Sequence, residues 1–259
     1  MNKSAYKLKK FPRVYWINLD SNTDRREYME KQFSYWEIDN HVRIPGYDGG
    51  SVKKFLSGTY PERVTMNEIG CCMSHLQAIK TFYEDTDDEY CMIVEDDVDF
   101  STANFWNFTW QEFTNNLPLY WDCMQLTTIC TGDIHIRMHL KFINDFSAAC
   151  YLITRHHAEK IIKNHIRGIR FKLDNGVKPR PVSEDLIFES GRAFTFPIFL
   201  YNIGFESNIH QEHIDTFHRG SRDALFDFWK EYGHCFDLKD YMNYDPYFYK
   251  VSQKTRQRT

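Results

Sequence analysis

The ten residues CMIVEDDVDF, Cys91 to Phe100, constrain the fold more than any other stretch of the chain. An apolar run of strand length ends in Glu95, Asp96, Asp97 and Asp99, four carboxylates within five positions. The run suits a buried strand, whereas clustered like charges repel and lose hydration when carried into a core. Both demands are met if the strand ends at a cleft, because ligands of open α/β sheets collect beyond the carboxyl ends of strands. The charge there asks for a positive partner, and a divalent metal ion held by hard oxygen ligands is the simplest one. Pleat alternation puts Glu95 and Asp97 on one side and Asp96 on the other, so Glu95 and Asp97 are the expected metal ligands with Asp99 as the spare candidate, the alternative being a solvated acidic turn.

The rest of the chain fits such a sheet. Short apolar runs alternate with amphipathic helical stretches, the pattern of an α/β domain. RVYWINL reads as a first strand, leading into a helix with Met29, Phe33 and Trp36 at helical spacing and a weak Asp24/Glu27 capping pattern. Thr65 and Glu68 predict a capping box for a long helix whose apolar face runs from Ile69 to Tyr83. WDCMQLTTI and FSAACYLIT are later strands, and Thr154 is placed to cap the helix that follows. Leu225, Phe228, Trp229 and Tyr232 share the face of a final helix, with Gly233 at its C-terminus. No internal repeat or Pro/Gly/Ser-rich linker divides the 259 residues. The expected organisation is an N-terminal tail at 1–12, one domain over 13–220, and a C-terminal helix with a basic tail at 221–259.

Composition narrows the function. With 42% hydrophobic residues the chain can bury a sizeable core, and a net charge of −4 gives no reason to expect a nucleic-acid partner. No apolar run is long enough for a signal peptide or a membrane span, so the expected location is cytoplasmic. The seven cysteines include no C-x-x-C pair, and those in apolar runs read as buried thiols, without structural zinc. Homo-oligomerisation is left open.

Four further groups carry possible chemistry. Arg25 and Arg26 open a helix, where backbone N–H groups and side-chain charge can meet an anion, although two surface arginines would look the same. Ser74 and His75 interrupt an apolar helix face and serve either as ligand contacts or as a hydrogen-bonded helix pair. Glu184 and Asp185 follow a proline-stiffened loop; one can act as general base for a hydroxyl, or the segment Ser183–Asp185 can cap a short helix. In FESNIHQEHIDTFH, one histidine can add a metal ligand, with His210 the first choice. Loops 50–62, 100–120 and 168–182 are expected to choose the acceptor, while Phe105, Trp106, Trp110 and Trp121 suit either sugar stacking or the core.

In order along the chain, VYWINLDSNTDRR, RIPGYDG, NEIGCCMSHLQAI, IVEDDVDF and FSAACYLITRHHAEKII resemble glycosyltransferase family 25, which includes lipooligosaccharide and procollagen galactosyltransferases. The likeness covers Val14 to Ile162, and more loosely reaches Asp185; the combination of EIGC-x-x-SH with VEDDV is its specific part. It implies a GT-A type α/β fold, a mixed central sheet flanked by helices. It also implies a UDP-sugar donor, Mn²⁺ (or Mg²⁺), a carbohydrate or glycoprotein acceptor, and inverting transfer of a hexose, galactose or glucose. By position, Asn18, Arg25, Arg26, Arg43, Asp48, Ser74, His75 and Asp96 would meet the donor, and Glu95 and Asp97 the metal. Family members often show Asp then Glu where this chain has Glu184-Asp185. Two other readings differ in class: a non-catalytic nucleotide-sugar or glycan-binding module of the same fold, and a phosphotransferase using Asp97 as nucleophile. The second lacks the small residues that usually follow such an aspartate.

Overall fold

The computed structural model describes residues 4–58, 63–173, 182–205 and 217–244. Its first half contains β1 (Val14–Asn18), α1 (Thr23–Trp36), β2 (His41–Pro45), α2 (Met66–Asp85), β3 (Tyr90–Glu95), β4 (Val98–Asp99) and α3 (Trp110–Asn115). Then follow β5 (Cys123–Gln125), β6 (His139–Leu140), β7 (Cys150–Thr154), α4 (Arg155–His165), β8 (Ile166–Arg167) and β9 (Arg170–Phe171). The last elements are α5 (Ser183–Phe188), β10 (Ala193–Thr195), β11 (Leu200–Tyr201), α6 (Arg219–Tyr232) and α7 (Leu238–Met242).

Seven strands form one mixed sheet in the order β2-β1-β3-β7-β5-β10-β6. β1 lies parallel to both β2 and β3, with Val14 opposite His41 and Met92. β7 runs antiparallel to its neighbours β3 and β5. The pleat sends alternate side chains to opposite faces, and the core divides accordingly. Trp16, Met92 and Val94 join Phe33, Trp106, Trp110 and Trp229 on one face. Tyr15, Cys91 and Ile93 join Leu76, Ile79, Tyr151 and Ile161 on the other. Truncating one of these buried tryptophans to alanine would cost about 3–5 kcal/mol.

Local signals explain most helix boundaries. The Thr65 side chain accepts the Glu68 N–H at 3.2 Å while Glu68 accepts the Thr65 N–H at 2.8 Å, closing the capping box that starts α2. Thr154 accepts the His157 N–H at 3.2 Å to start α4. The expected Asp24/Glu27 box is absent: α1 begins at Thr23 behind Asn22, and Glu27 instead pairs with Lys31 one turn on. Gly233 ends α6 without a left-handed turn, at φ −57°; a Cβ there would sit 2.8 Å from the Phe105 carbonyl, so close packing explains it. Residues 5–8 form a short 3₁₀ turn that buries Leu8 in the aromatic core. Trp106 and Trp110 are core, with Phe105 and Trp121 packed against it, so the core reading of these aromatics holds. Among the described residues no helix is long and apolar enough to cross a membrane.

Candidate active site

The parallel strands β1, β2 and β3 end together, and their carboxyl ends open into a cavity of about 290 Å³. Ile17–Leu19, Ser21, Asn22, Arg25 and Gly46–Gly49 line one part of it; Asn67, Cys71, Ser74 and His75 from α2 and the Glu95–Asp97 corner line the rest. β2 and α2 approach closely here because Gly70 carries no side chain: a Cβ would lie 2.4 Å from the Tyr47 carbonyl. Ser74 ties the same junction, accepting the Tyr47 N–H at 2.8 Å and donating to the Gly70 carbonyl at 2.7 Å.

The acidic corner departs from simple alternation because β3 stops at Glu95, and Asp96 and Asp97 lie in the turn before β4. Asp96 is buried and fully engaged. Arg25 Nη1 donates to its Oδ1 at 2.6 Å and Asn18 Nδ2 to its Oδ2 at 2.7 Å. Asn18 is in turn held through its Oδ1 by Arg43 Nε at 2.9 Å and Arg26 Nε at 3.3 Å. Arg43 also reaches Asp20 at 2.6 Å. Arg26 and Arg43 therefore brace the wall behind Asn18 and do not line the cavity. Asp48 lies on the rim, where its Oδ1 accepts the Gly50 N–H at 2.7 Å.

Glu95 and Asp97 differ electrostatically. Burial would raise Glu95, but the His75 hydrogen bond and the charges of His75, Arg25 and His218 hold it below the usual glutamate value. Burial pushes Asp97 up to about 7, opposed by Arg25 and reinforced by the charges of Glu95 and Asp96. Its Oδ2 lies 3.4 Å from Arg25, whereas its buried Oδ1 has no hydrogen-bond partner among the described residues. An orphaned carboxylate oxygen beside a second carboxylate fits a hard divalent cation, the donor type that Mn²⁺ and Mg²⁺ prefer. Asp96, spent on Arg25 and Asn18, is not a further ligand of this kind. His210 lies outside the described residues.

A second cavity, of about 440 Å³, opens on the other side of the same corner. Cys71, Glu95 and Asp97 line both cavities. Glu68 of α2 joins them in the second cavity, and the rest of the second wall is assembled from separated segments: Ile129 and Thr131, Phe146–Ala149, Val182–Glu184, Tyr201, and Phe217–His218. Among the described residues of the expected acceptor loops, only the end of 168–182 contributes; residues 59–62 and 174–181 lie outside the described residues.

Within this second wall, Glu184 and Asp185 have different surroundings. Asp185 Oδ2 accepts the Val182 N–H at 3.0 Å, a cap on the first turn of α5. Glu184 lines the cavity, its Oε1 accepting the Ser147 N–H at 3.1 Å. Ser147 adopts φ +98°, a left-handed backbone that a serine holds only when its surroundings enforce it. The enforcement comes from buried Gln125 at the end of β5. Its Nε2 faces the carbonyls of Asp145, Phe146 and Ser147 at 3.1, 3.0 and 2.7 Å, and its Oε1 accepts from Thr195 at 2.7 Å. Cys71, Gln125, Ser147 and Tyr201 were not foreseen from sequence; the only hint at Gln125 is a polar residue inside an apolar strand pattern.

The comparison with family models decides what this site belongs to. The model of glycosyltransferase family 25, described as an LPS biosynthesis protein family, matches residues 11–175, well over half of the chain. The chain belongs to glycosyltransferase family 25. It is a glycosyltransferase, and its mixed seven-stranded sheet flanked by helices is the GT-A-like architecture implied by the resemblance. A glycosyltransferase of this family takes a sugar donor and an acceptor, and the matched region contains every described residue of the first cavity. No curated protein matches the chain significantly.

Proposed function

We propose that this family 25 enzyme is a metal-dependent hexosyltransferase that moves galactose or glucose from a UDP-sugar to a hydroxyl of a glycan or glycoprotein by inverting displacement. The observation that carries the reading is the shared wall. A polar cavity and a second, more apolar one meet at Glu95 and Asp97, and Glu184 stands in the second. One cavity takes the nucleotide and its diphosphate, the other the acceptor, and the sugar lies between them.

Glu95 and Asp97 would hold the metal, Mn²⁺ or Mg²⁺, which neutralises the diphosphate and stabilises the departing nucleoside diphosphate. Arg25, fixed by Asp96, adds fixed positive charge at the same corner, already oriented before the reaction. Asn18 and Ser74 shape the nucleotide side, and Asp48 offers a carboxylate at its rim. Across the corner, Glu184 accepts the proton of the acceptor hydroxyl as it attacks the anomeric carbon. Two of its properties support that role over Asp185: it faces the cavity, and its carboxylate is oriented by the Ser147 N–H.

The first test is thermal stability with UDP and a panel of UDP-sugars, each with Mn²⁺ and with chelator. Ligand at about a hundred times its dissociation constant should add nearly 3 kcal/mol of stability. A metal-dependent rise with UDP-sugars is expected, followed by multiple turnover on a suitable acceptor. Binding without turnover on any acceptor would favour the non-catalytic module; no rise with any uridine nucleotide would overturn the donor assignment.

A further inference from the structure

The corner between the cavities contains a second set of donor atoms, different in kind from the oxygens of Glu95 and Asp97. Cys71 and His75 lie one helical turn apart on α2, a spacing that brings both side chains to one face. Cys71, His75 and Glu95 each present one ligand atom, and these atoms lie within 4.8 Å of one another. Cys71 Sγ is 4.0 Å, and His75 Nε2 3.0 Å, from Glu95 Oε1. The imidazole is aimed by a third residue: His75 Nδ1 is 3.1 Å from the hydroxyl of buried Tyr151, which leaves Nε2 facing the cluster. A ring fixed through one nitrogen with the other free for a ligand is the arrangement found behind metal-binding histidines. The cluster is reachable, because all three residues line the first cavity and Cys71 and Glu95 also line the second.

We propose that Cys71, His75 and Glu95 form a binding site for a thiophilic divalent cation, Zn²⁺, distinct in ligand chemistry from the all-oxygen pair that suits Mn²⁺. Thiolate and imidazole favour Zn²⁺, whereas Mn²⁺ prefers carboxylate and water. Binding moves the Cys71 thiol proton to solvent and breaks the His75–Glu95 hydrogen bond, so both partners turn to the ion. The two sets share Glu95. Zn²⁺ bound here therefore withdraws one of the two carboxylates from the site proposed for Mn²⁺ and antagonises it. Only this antagonism rests on the transferase reading; the Zn²⁺ site stands on its own residues.

The test uses the full chain, reduced and stripped with chelator, and Co²⁺ as a visible probe for Zn²⁺. A thiolate-to-cobalt charge-transfer band is expected, saturating at one equivalent and bleached by Zn²⁺. It should vanish in Cys71→Ser and persist in Cys235→Ser, which removes an exposed thiol far along the chain. No band in the unmodified protein, or a band that survives Cys71→Ser, overturns the site. Should Cys71→Ser fail to fold, alkylation of the unmodified protein decides. Zn²⁺ should slow iodoacetamide labelling of Cys71 about tenfold or more, by occupying its thiolate, and leave Cys235 unchanged. Equal Cys71 labelling with and without Zn²⁺ overturns it. Saturating Mn²⁺ should raise the Co²⁺ midpoint; an unmoved midpoint overturns the shared-Glu95 antagonism while the band and the labelling still report on the site itself.

Discussion

The two cavities on either side of Glu95 and Asp97 are built in opposite ways. The first stands on the ends of three parallel strands and the face of α2, so its residues come in short contiguous motifs: Asn18 to Arg25, Gly46 to Gly49, Asn67 to His75 and Glu95 to Asp97. Its polar groups are locked by ion pairs and side-chain hydrogen bonds around Asn18, Arg25 and Asp96. The second is gathered largely from distant segments and held by a buried amide, Gln125, gripping the turn in which Ser147 is left-handed. A pocket on strand ends inherits its rigidity from the sheet; one made of loops needs a dedicated internal fastening. On the proposed reading, nucleotide recognition and acceptor choice rest on different structural footings.

Substitutions at the shared corner should have the largest effect. Asp97→Asn removes a carboxylate proposed to hold the metal that would neutralise the diphosphate, so turnover should drop by about a thousandfold or more while the fold survives. Unchanged turnover would break the proposed role. Next, Glu184→Gln should lower kcat by about 10²–10⁴-fold and leave the Mn²⁺-dependent stabilisation by UDP intact, separating the two cavities functionally. Loss of nucleotide binding together with activity would show the distinction to be false. Gln125→Met keeps the volume but frees the carbonyls of 145–147, and a misaimed Glu184 should reduce kcat by about tenfold with the donor KM unchanged. Equal changes in kcat and donor KM would assign Gln125 to general stability instead.

The smallest effect concerns acid. His157 Nε2 sits 2.7 Å from the Ile187 carbonyl on α5, and His165 Nδ1 is 2.9 Å from the Lys172 carbonyl. Burial lowers the pKa of both imidazoles from 6.5, with the carbonyl contacts only partly offsetting it. Between the folded and unfolded values the unfolded chain binds more protons. The stability they supply is therefore complete above the unfolded value near 6.5 and is lost as pH falls through it toward the folded values. Because His157 anchors the helix that carries Glu184, hydrogen-exchange protection, taken relative to the intrinsic rate at each pH, should fall on acidification in α5 before it does in β1 and β3. Uniform exchange across both regions would remove the contrast.

This difference in construction also governs what could be read from sequence. The acidic strand end, the Thr65/Glu68 box and the residues around Asn18 are local patterns, and each has a local physical cause. The family resemblance was carried by the same segments. The second cavity was not legible because nothing in the sequence links Gln125 to a turn twenty residues on, and a serine carries no sequence signal of the unusual φ +98° it adopts. Asp96 and Asp97 were assigned sides by strand alternation, yet the strand ends one residue earlier and Arg25 gathers both. Loops 50–62, 100–120 and 168–182 carry the sequence expectation for acceptor choice, whereas most of the second cavity's lining comes from other segments.

Cys71, Glu95 and Asp97 face both cavities, and this common wall has a thermodynamic consequence. Any ligand that reorients or neutralises these three side chains from one cavity alters the field met by a ligand in the other. Linkage makes such coupling symmetric: the factor by which a filled first cavity tightens the second is the factor by which a filled second cavity tightens the first. A wall of shared side chains thus makes whatever ligands the two cavities hold partners in each other's affinity.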